Sequence, residues 1–200
     1  MKRRTLDIIF SVGGVALAVL MVVLGLVATA NANFAGDYVE NQLVQQRITF
    51  TPADKLDDVE SKADCLVSNG GQLLRSGKQA ECYANEYIAY HLTKINGGKT
   101  YSETSSESRA ARTGATQAQK NNDPNAAELD KQAVVLGGKV ETLFRGETLR
   151  GLLLTSYGFS VFGEKADQAA KVSFLVALVL TLASIAGFIH ALRTPREETI

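Results

Sequence analysis

The sequence predicts an all-α protein in which two transmembrane helices flank a small helical extracytoplasmic domain. Two uncharged apolar runs, residues 8–30 and 172–192, are each long enough to cross a hydrocarbon core of roughly 30 Å at about 1.5 Å of helical rise per residue. Between them the chain carries helix start and stop signals, and the alternation typical of a strand does not persist.

The basic residues closest to each run predict the orientation. Lys2, Arg3 and Arg4 precede the first run, and Arg193 and Arg196 follow the second. Because cytoplasmic flanks are enriched in Lys and Arg, we expect both termini to be cytoplasmic in the plasma membrane. The predicted divisions are a cytoplasmic N-terminus over residues 1–7, an extracytoplasmic domain over 31–171 and a cytoplasmic tail over 193–200.

The first apolar run also matches a secretory signal, because it follows basic residues and ends in Ala28-Thr29-Ala30. It is longer than the usual signal core of about 7 to 15 residues, which favours a retained helix. Cleavage stays open as the alternative.

Composition argues against several classes of function. The formal net charge is zero and the central segment has no basic run, so nucleic-acid binding is not expected. The two histidines, His91 and His190, are predicted on opposite sides of the membrane, which precludes a two-histidine iron site within one chain. Ser156 lacks the first glycine of a nucleophile elbow. The sequence therefore predicts no enzyme activity, no cofactor, no metal and no small-molecule substrate.

Both cysteines, Cys65 and Cys82, lie in the segment predicted to be outside. An oxidising compartment favours a disulfide between them. Two unpaired thiols, or a zinc site completed by His91, are the alternatives.

Helix signals divide the central segment. Thr51-Pro52 and Asp123-Pro124 are typical helix starts, and residues 78–95 form an amphipathic pattern that Asn96-Gly97-Gly98 ends. Thr100 and Glu103 fit a capping box. The Ser-, Ala- and Gln-rich piece at about 105–123 has few large apolar residues, so we expect it to be flexible or weakly helical. Gly137-Gly138 is a candidate kink or break.

The stretch LFRGETLRGLLLTSYGFSVFG, residues 143–163, is apolar but ends at charges before the second run. One membrane helix from Leu149 to Leu192 would be about 66 Å long and would draw those charges into lipid, so we expect a helix outside the hydrocarbon core. Its apolar side chains point in nearly every direction, so we expect it to be enclosed by its own domain, the headgroup region or another subunit, and it is the first place to look for a partner. The candidates are Leu149, Leu152, Leu153, Tyr157, Phe159 and Phe162.

Small residues four positions apart occur in both apolar runs. Gly14 and Ala18 form such a pair in the first run, and Ala183 and Gly187 form one in the second. This spacing favours close packing of helices in lipid, although ordinary small residues in an apolar helix would look the same.

Three segments carry a resemblance to a known family: FAGDYVENQLVQQRITF, YANEYIAYHLTKINGGKTYSETS and the stretch at 143–163. Together they resemble a family of small two-span membrane proteins of actinobacteria, whose relatives are sometimes labelled aromatic ring-opening dioxygenases. The resemblance implies cytoplasmic ends and a helical outer domain, and it supplies no catalytic residues. By analogy of size, topology and lineage, the resemblance also suggests a link to the small accessory subunits of actinobacterial respiratory supercomplexes of cytochrome bcc-aa3 type.

These observations lead to two functional hypotheses. The first is a non-enzymatic accessory protein that contacts lipid and the subunits of a larger membrane complex, which it stabilises or helps to assemble. The second is an envelope binding or sensing module that acts through its extracytoplasmic domain. The cytoplasmic ends are too short for a signalling domain, which favours the first.

Overall fold

The computed structural model describes residues 2–195, which are predominantly helical and include no β-strand. Its α-helices are α1 (Arg3–Gln45), α2 (Asp64–Ser68), α3 (Gly77–Cys82), α4 (Ala89–Thr93), α5 (Tyr101–Lys120) and α6 (Ala126–Arg193). Two long apolar helices at the ends of the chain enclose a small helical segment in sequence, so the predicted all-α fold is confirmed. Arg196 and the rest of the expected tail beyond Pro195 lie outside the described residues.

The chain divides into two compact units. The paired-helix unit takes the residues up to Tyr38 and those from Ser160 onward, and the central unit is Val39–Phe159. Helices α1 and α6 each contribute residues to both units.

In the paired-helix unit, α1 and α6 run antiparallel and meet through small residues. The buried positions of α6 recur every seven residues, at Ala170, Ala177, Ser184 and Ala191. On α1 the corresponding positions are Ser11, Ala18 and Gly25. A seven-residue repeat keeps one seam of each helix facing its neighbour, and small side chains let the two backbones approach closely.

The other sides of this unit are covered by exposed Leu, Val, Ile and Phe side chains. Both helices are long and apolar enough to cross a membrane, and only 17% and 11% of their most apolar windows are buried. They are therefore unlike the core helices of a soluble domain, which bury most of their apolar side chains.

The core of the central unit gathers short helices around a disulfide. Cys65 of α2 and Cys82 of α3 are bonded, so the predicted pairing is the one observed. Phe50, Leu66 and Leu74 are fully buried beside them. An isolated bridge between Thr49 and Leu73 holds the connecting segments together.

The predicted amphipathic helix at 78–95 is confirmed, as α3, a π-helical turn over Tyr83–Ile88 and α4. Ser76 and Gln79 form a capping box at its start. At its end Asn96, Gly97 and Gly98 all have positive φ, the left-handed conformation predicted for a helix stop. The Thr100 and Glu103 capping box that starts α5 is also confirmed.

Residues 105–123 differ from their prediction, because α5 is a regular helix through Lys120. Its buried side chains are small, namely Thr104, Ser108, Ala115 and Ala118. The ring of Tyr101 lies 5.9 Å from that of Phe144 on α6, which shows that α5 lies against α6. The prediction was wrong because it considered only large apolar residues, whereas α5 packs through small side chains.

Two predicted boundaries are also wrong. Thr51 does not cap a helix, since Pro52 precedes only a short 3-10 turn, Ala53–Lys55. Gly137-Gly138 does not interrupt α6, which continues through both residues. A glycine pair lowers helix propensity but breaks a helix only when other interactions favour the break.

Candidate interaction surfaces

An apolar face of α6 is exposed in the central unit. The exposed fractions of Leu149, Leu152 and Phe159 are 38%, 62% and 38%. Offsets of three and seven residues bring these side chains to one side of a helix. We call these three residues the outer apolar face.

The remaining predicted contact residues have other surroundings. Leu153 is buried in the core of the central unit. The Tyr157 hydroxyl is 3.2 Å from Lys78 Nζ, and this hydrogen bond, with help from Glu81, raises the pKa of Lys78. Phe162 belongs to the paired-helix unit, where it is exposed. Residues 143–163 therefore do not expose apolar side chains in every direction. One side, with Leu153, faces the core of the central unit, and another side carries the outer apolar face, which is available to a partner.

A polar network surrounds α4. The Asp57 carboxylate accepts hydrogen bonds from the backbone N–H groups of Val59 and Glu60, from the Tyr90 hydroxyl at 2.9 Å and from Lys94 Nζ at 3.1 Å. The Glu60 N–H, followed by Tyr90, Lys94 and Val59, lowers the pKa of Asp57 well below its ordinary range. Sequence reasoning missed Asp57, because its donors lie up to 37 positions away.

His91 is held by the buried carboxylate of Glu60, whose Oε1 lies 2.8 Å from His91 Nε2. Its ring also lies 4.4 Å from the ring of Tyr87, which stacks on Tyr83. Burial raises the pKa of Tyr83 to about 12, with contributions from Tyr87 and Glu60. The contact with Glu60 gives His91 a structural role, because it joins α4 to the 3-10 turn Glu60–Lys62 that precedes α2.

The other residues considered for catalysis also have local partners. The Ser156 hydroxyl donates to the Leu152 carbonyl at 3.1 Å, within its own helix. In the paired-helix unit, Nδ1 of His190 lies 2.9 Å from Oδ2 of Asp7. Within residues 2–195, no group of three or more His, Cys, Asp or Glu side chains could hold a metal ion.

The predicted small-residue pairs only partly coincide with the helix contact. Gly14 faces Ser184, and Gly187 faces Ser11, so closely that a Cβ at either glycine would overlap the serine hydroxyl. Ala18 is buried at the same seam, whereas Ala183 is exposed. Ser11 and Ser184 were missed by the four-residue spacing. The seven-residue repeat of Ala, Ser and Gly would have found both.

Two open grooves mark the surface of the central unit. One, of about 490 Å³, has mixed polar and apolar walls and lies along the disulfide, next to Lys78, Glu81 and Asn85. The other, of about 500 Å³, is mainly apolar and lies between the start of α5 and α6, with Tyr101 and Phe144 along it.

No family model, curated protein or solved structure matches this chain.

Proposed function

We propose that this protein is a non-enzymatic integral membrane accessory protein, which packs against a larger membrane complex and stabilises it or helps to assemble it. The proposed location is the plasma membrane, with cytoplasmic termini and the central unit outside. An actinobacterial cytochrome bcc-aa3 supercomplex is the candidate assembly, by the family resemblance and the two-span architecture.

The outer apolar face is the observation that carries this proposal. Leu152, the most exposed of its three residues, would gain hydrophobic free energy on burial, as would its neighbours. Four charged residues, Glu164, Lys165, Asp167 and Lys171, stand between this face and the second apolar run. Charged side chains are unfavourable in the hydrocarbon core, so these four residues should lie outside it. The outer apolar face precedes them in the chain and should therefore also lie outside the hydrocarbon, where lipid chains do not bury it. A protein surface is the better candidate.

The disulfide supports the proposed orientation. Bonds between cysteines persist in oxidising compartments and are rare in the cytosol. The Cys65 and Cys82 bond therefore favours an extracytoplasmic central unit.

A photo-crosslinking amino acid at Leu152 tests the proposal in native membranes. We expect a discrete adduct with one subunit of a membrane complex, and co-purification of that complex after gentle solubilisation. The matched control is Gln132, an exposed residue further toward the start of α6 whose side chain points to roughly the opposite side of the helix. Absence of an adduct at Leu152, together with purely monomeric migration, would contradict the proposal.

The apolar groove favours a second candidate, an envelope binding module. Its two exposed rings, Tyr101 and Phe144, could hold an apolar or ring-shaped ligand group. Specific binding of envelope material by the full-length protein, lost in Tyr101→Ala and unaccompanied by any stable complex, would favour this function over the first.

A further inference from the structure

Two aromatic side chains of α1 lie just beyond the end of the first apolar run. Phe34 is 61% exposed and Tyr38 is 49% exposed, and their rings stack with centroids 5.8 Å apart. They are one helical turn apart, in the part of α1 that belongs to the paired-helix unit. We call these two residues the aromatic stack.

The aromatic stack lies close to the edge of the proposed hydrocarbon core. Ala30 ends the uncharged run, so the backbone of Phe34 lies about 6 Å beyond it at about 1.5 Å of helical rise per residue. The headgroup layer on each side of a bilayer is about 5–7 Å thick. Side chains on a helix tilt toward its N-terminus, which for α1 is the direction of the apolar run. The ring of Phe34 is therefore directed back toward the boundary between headgroups and acyl chains.

The surroundings of the aromatic stack suit neither water nor hydrocarbon. In water, the exposed faces of both rings would keep their apolar surface solvated. In hydrocarbon, the exposed neighbours Asn33 and Asp37 would lose their hydration, which is most unfavourable for the carboxylate of Asp37. The interfacial layer suits both kinds of group, because rings can reach the acyl chains while polar side chains stay hydrated.

We propose that the aromatic stack is an interfacial anchor whose partner is the phospholipid headgroup layer at the Ala30 end of the first apolar run. The lipid-facing surface of that run continues into the stack, because both are exposed on α1. The central unit begins at the next residue, Val39, so the anchor sets the distance along α1 between the bilayer and that unit. The inference rests on the membrane location in the proposed function, and it adds the contact that fixes the depth of α1.

Phe162 of α6 provides a comparison within the paired-helix unit. Gly163 lies so close to Ala35 that a Cβ on the glycine would overlap the alanine side chain, which places Phe162 and Phe34 at nearly the same height along the helix pair. Because α6 runs antiparallel to α1, its side chains tilt away from the apolar runs. Phe162 is 75% exposed, but its ring is directed away from the bilayer. The two phenylalanines should therefore differ in their contact with lipid.

Tryptophan fluorescence tests the anchor, because the native chain has no tryptophan and one substitution supplies a unique reporter. The purified full-length protein is placed in phosphatidylcholine vesicles whose acyl chains carry bromine either near the headgroup or near the chain end. We expect the shallow bromines to quench Phe34→Trp about twofold more than the deep bromines, as for a side chain at the interface. Tyr38→Trp should show the same preference, and it serves as the reporter if Phe34→Trp does not fold.

Three further single-tryptophan variants are the controls. Phe162→Trp should be quenched less than Phe34→Trp by the shallow bromines. Val19 is exposed in the middle of the first apolar run, so Val19→Trp should be quenched more by the deep bromines. Phe144 is exposed in the central unit, and Phe144→Trp should be quenched by neither lipid.

The outcomes separate this inference from the function on which it rests, because no partner complex is present in the vesicles. If Val19→Trp is quenched by deep bromines but Phe34→Trp and Tyr38→Trp are not quenched, the anchor is overturned and the membrane location stands. A preference of Phe34→Trp for deep bromines, or equal shallow quenching of Phe162→Trp, also overturns the anchor. If Val19→Trp is quenched by neither lipid, the helix pair lies outside the bilayer, and the proposed function fails together with the anchor.

Discussion

Asp57 shows how one side chain can organise a loop that lacks regular structure. Its carboxylate satisfies two backbone N–H groups, a tyrosine hydroxyl and a lysine, and so ties the segment before α2 to α4. Lys94 also lies 4.0 Å from the centre of the Tyr90 ring, a cation–π distance. Tyr90 and Asp57 together raise the pKa of Lys94, so its charge is retained in the network.

Asp57 should therefore make stability depend on pH. The pKa of Asp57 in the folded protein lies below the ordinary value of 3.8. The ionised carboxylate therefore makes its full contribution to the free energy of unfolding at pH values above 3.8. The contribution is lost as the pH falls below 3.8 toward the lowered folded value. Asp57→Asn should lower the melting temperature of the full-length protein in detergent at neutral pH. The difference in melting temperature between this variant and the wild type should become smaller as the pH falls below 3.8.

The control for this change is Asp58→Asn, because Asp58 is the exposed neighbour and the change in charge is the same. We expect a smaller loss of stability at neutral pH. A constant gap between wild type and Asp57→Asn across the acid range would contradict the role of its carboxylate.

At the scale of elements, α2 has five residues and α3 has six, too few to be stable alone. The disulfide joins them across a sequence separation of 17. Replacing both Cys65 and Cys82 by alanine should cost about 3 kcal/mol in the chain-entropy model for a loop of this size. Thermal unfolding of the full-length protein measures this loss.

Reductant gives the matched comparison for the disulfide. It should destabilise the wild-type protein by a similar amount and leave the double alanine variant unchanged. If reductant affects both equally, the loss does not come from this bond.

The seam between α1 and α6 can be tested with adjacent glycines. A side chain at Gly14 would overlap Ser184, whereas a Cβ at Gly13 has no other heavy atom within 4 Å. Gly14→Leu should destabilise the helix pair by about 1–3 kcal/mol, as overpacking does. Gly13→Leu creates no overlap, so it should leave stability unchanged or raise it by up to about 1 kcal/mol through helix propensity. Unfolding of both variants in the same detergent gives the difference, and equal effects would contradict the seam.

Local signals in the sequence predicted the elements that depend on neighbouring residues. The capping box of Thr100 and Glu103, the left-handed stop at Asn96 and the uncharged runs are all encoded within a few positions. Contacts between distant positions were not predictable in this way. The reciprocal pairs of Ser11 with Gly187 and Ser184 with Gly14 depend on the register of two helices far apart in sequence. The outward direction of Leu152 likewise depends on which side of α6 faces the core, and that side is the one that carries Leu153.

On the scale of the whole molecule, a mean hydropathy of +0.00 and a net charge of zero are averages over two dissimilar units. The paired-helix unit exposes large apolar side chains, and the central unit is tied by a disulfide and many ion pairs. Each unit suits a different solvent, lipid for one and water for the other. This contrast is the physical basis for the proposed topology.

Labelling of single cysteines tests that topology in the full-length protein. The two native cysteines are bonded to each other, so one added cysteine supplies the only free thiol. Ser106 and Thr5 are both exposed. If the central unit is outside, Ser106→Cys should react with a membrane-impermeant maleimide in intact cells, and Thr5→Cys only after permeabilisation. The opposite pattern would reverse the orientation. Loss of the Thr5→Cys thiol from the mature chain, seen by mass spectrometry, would instead show that the first apolar run is cleaved as a signal.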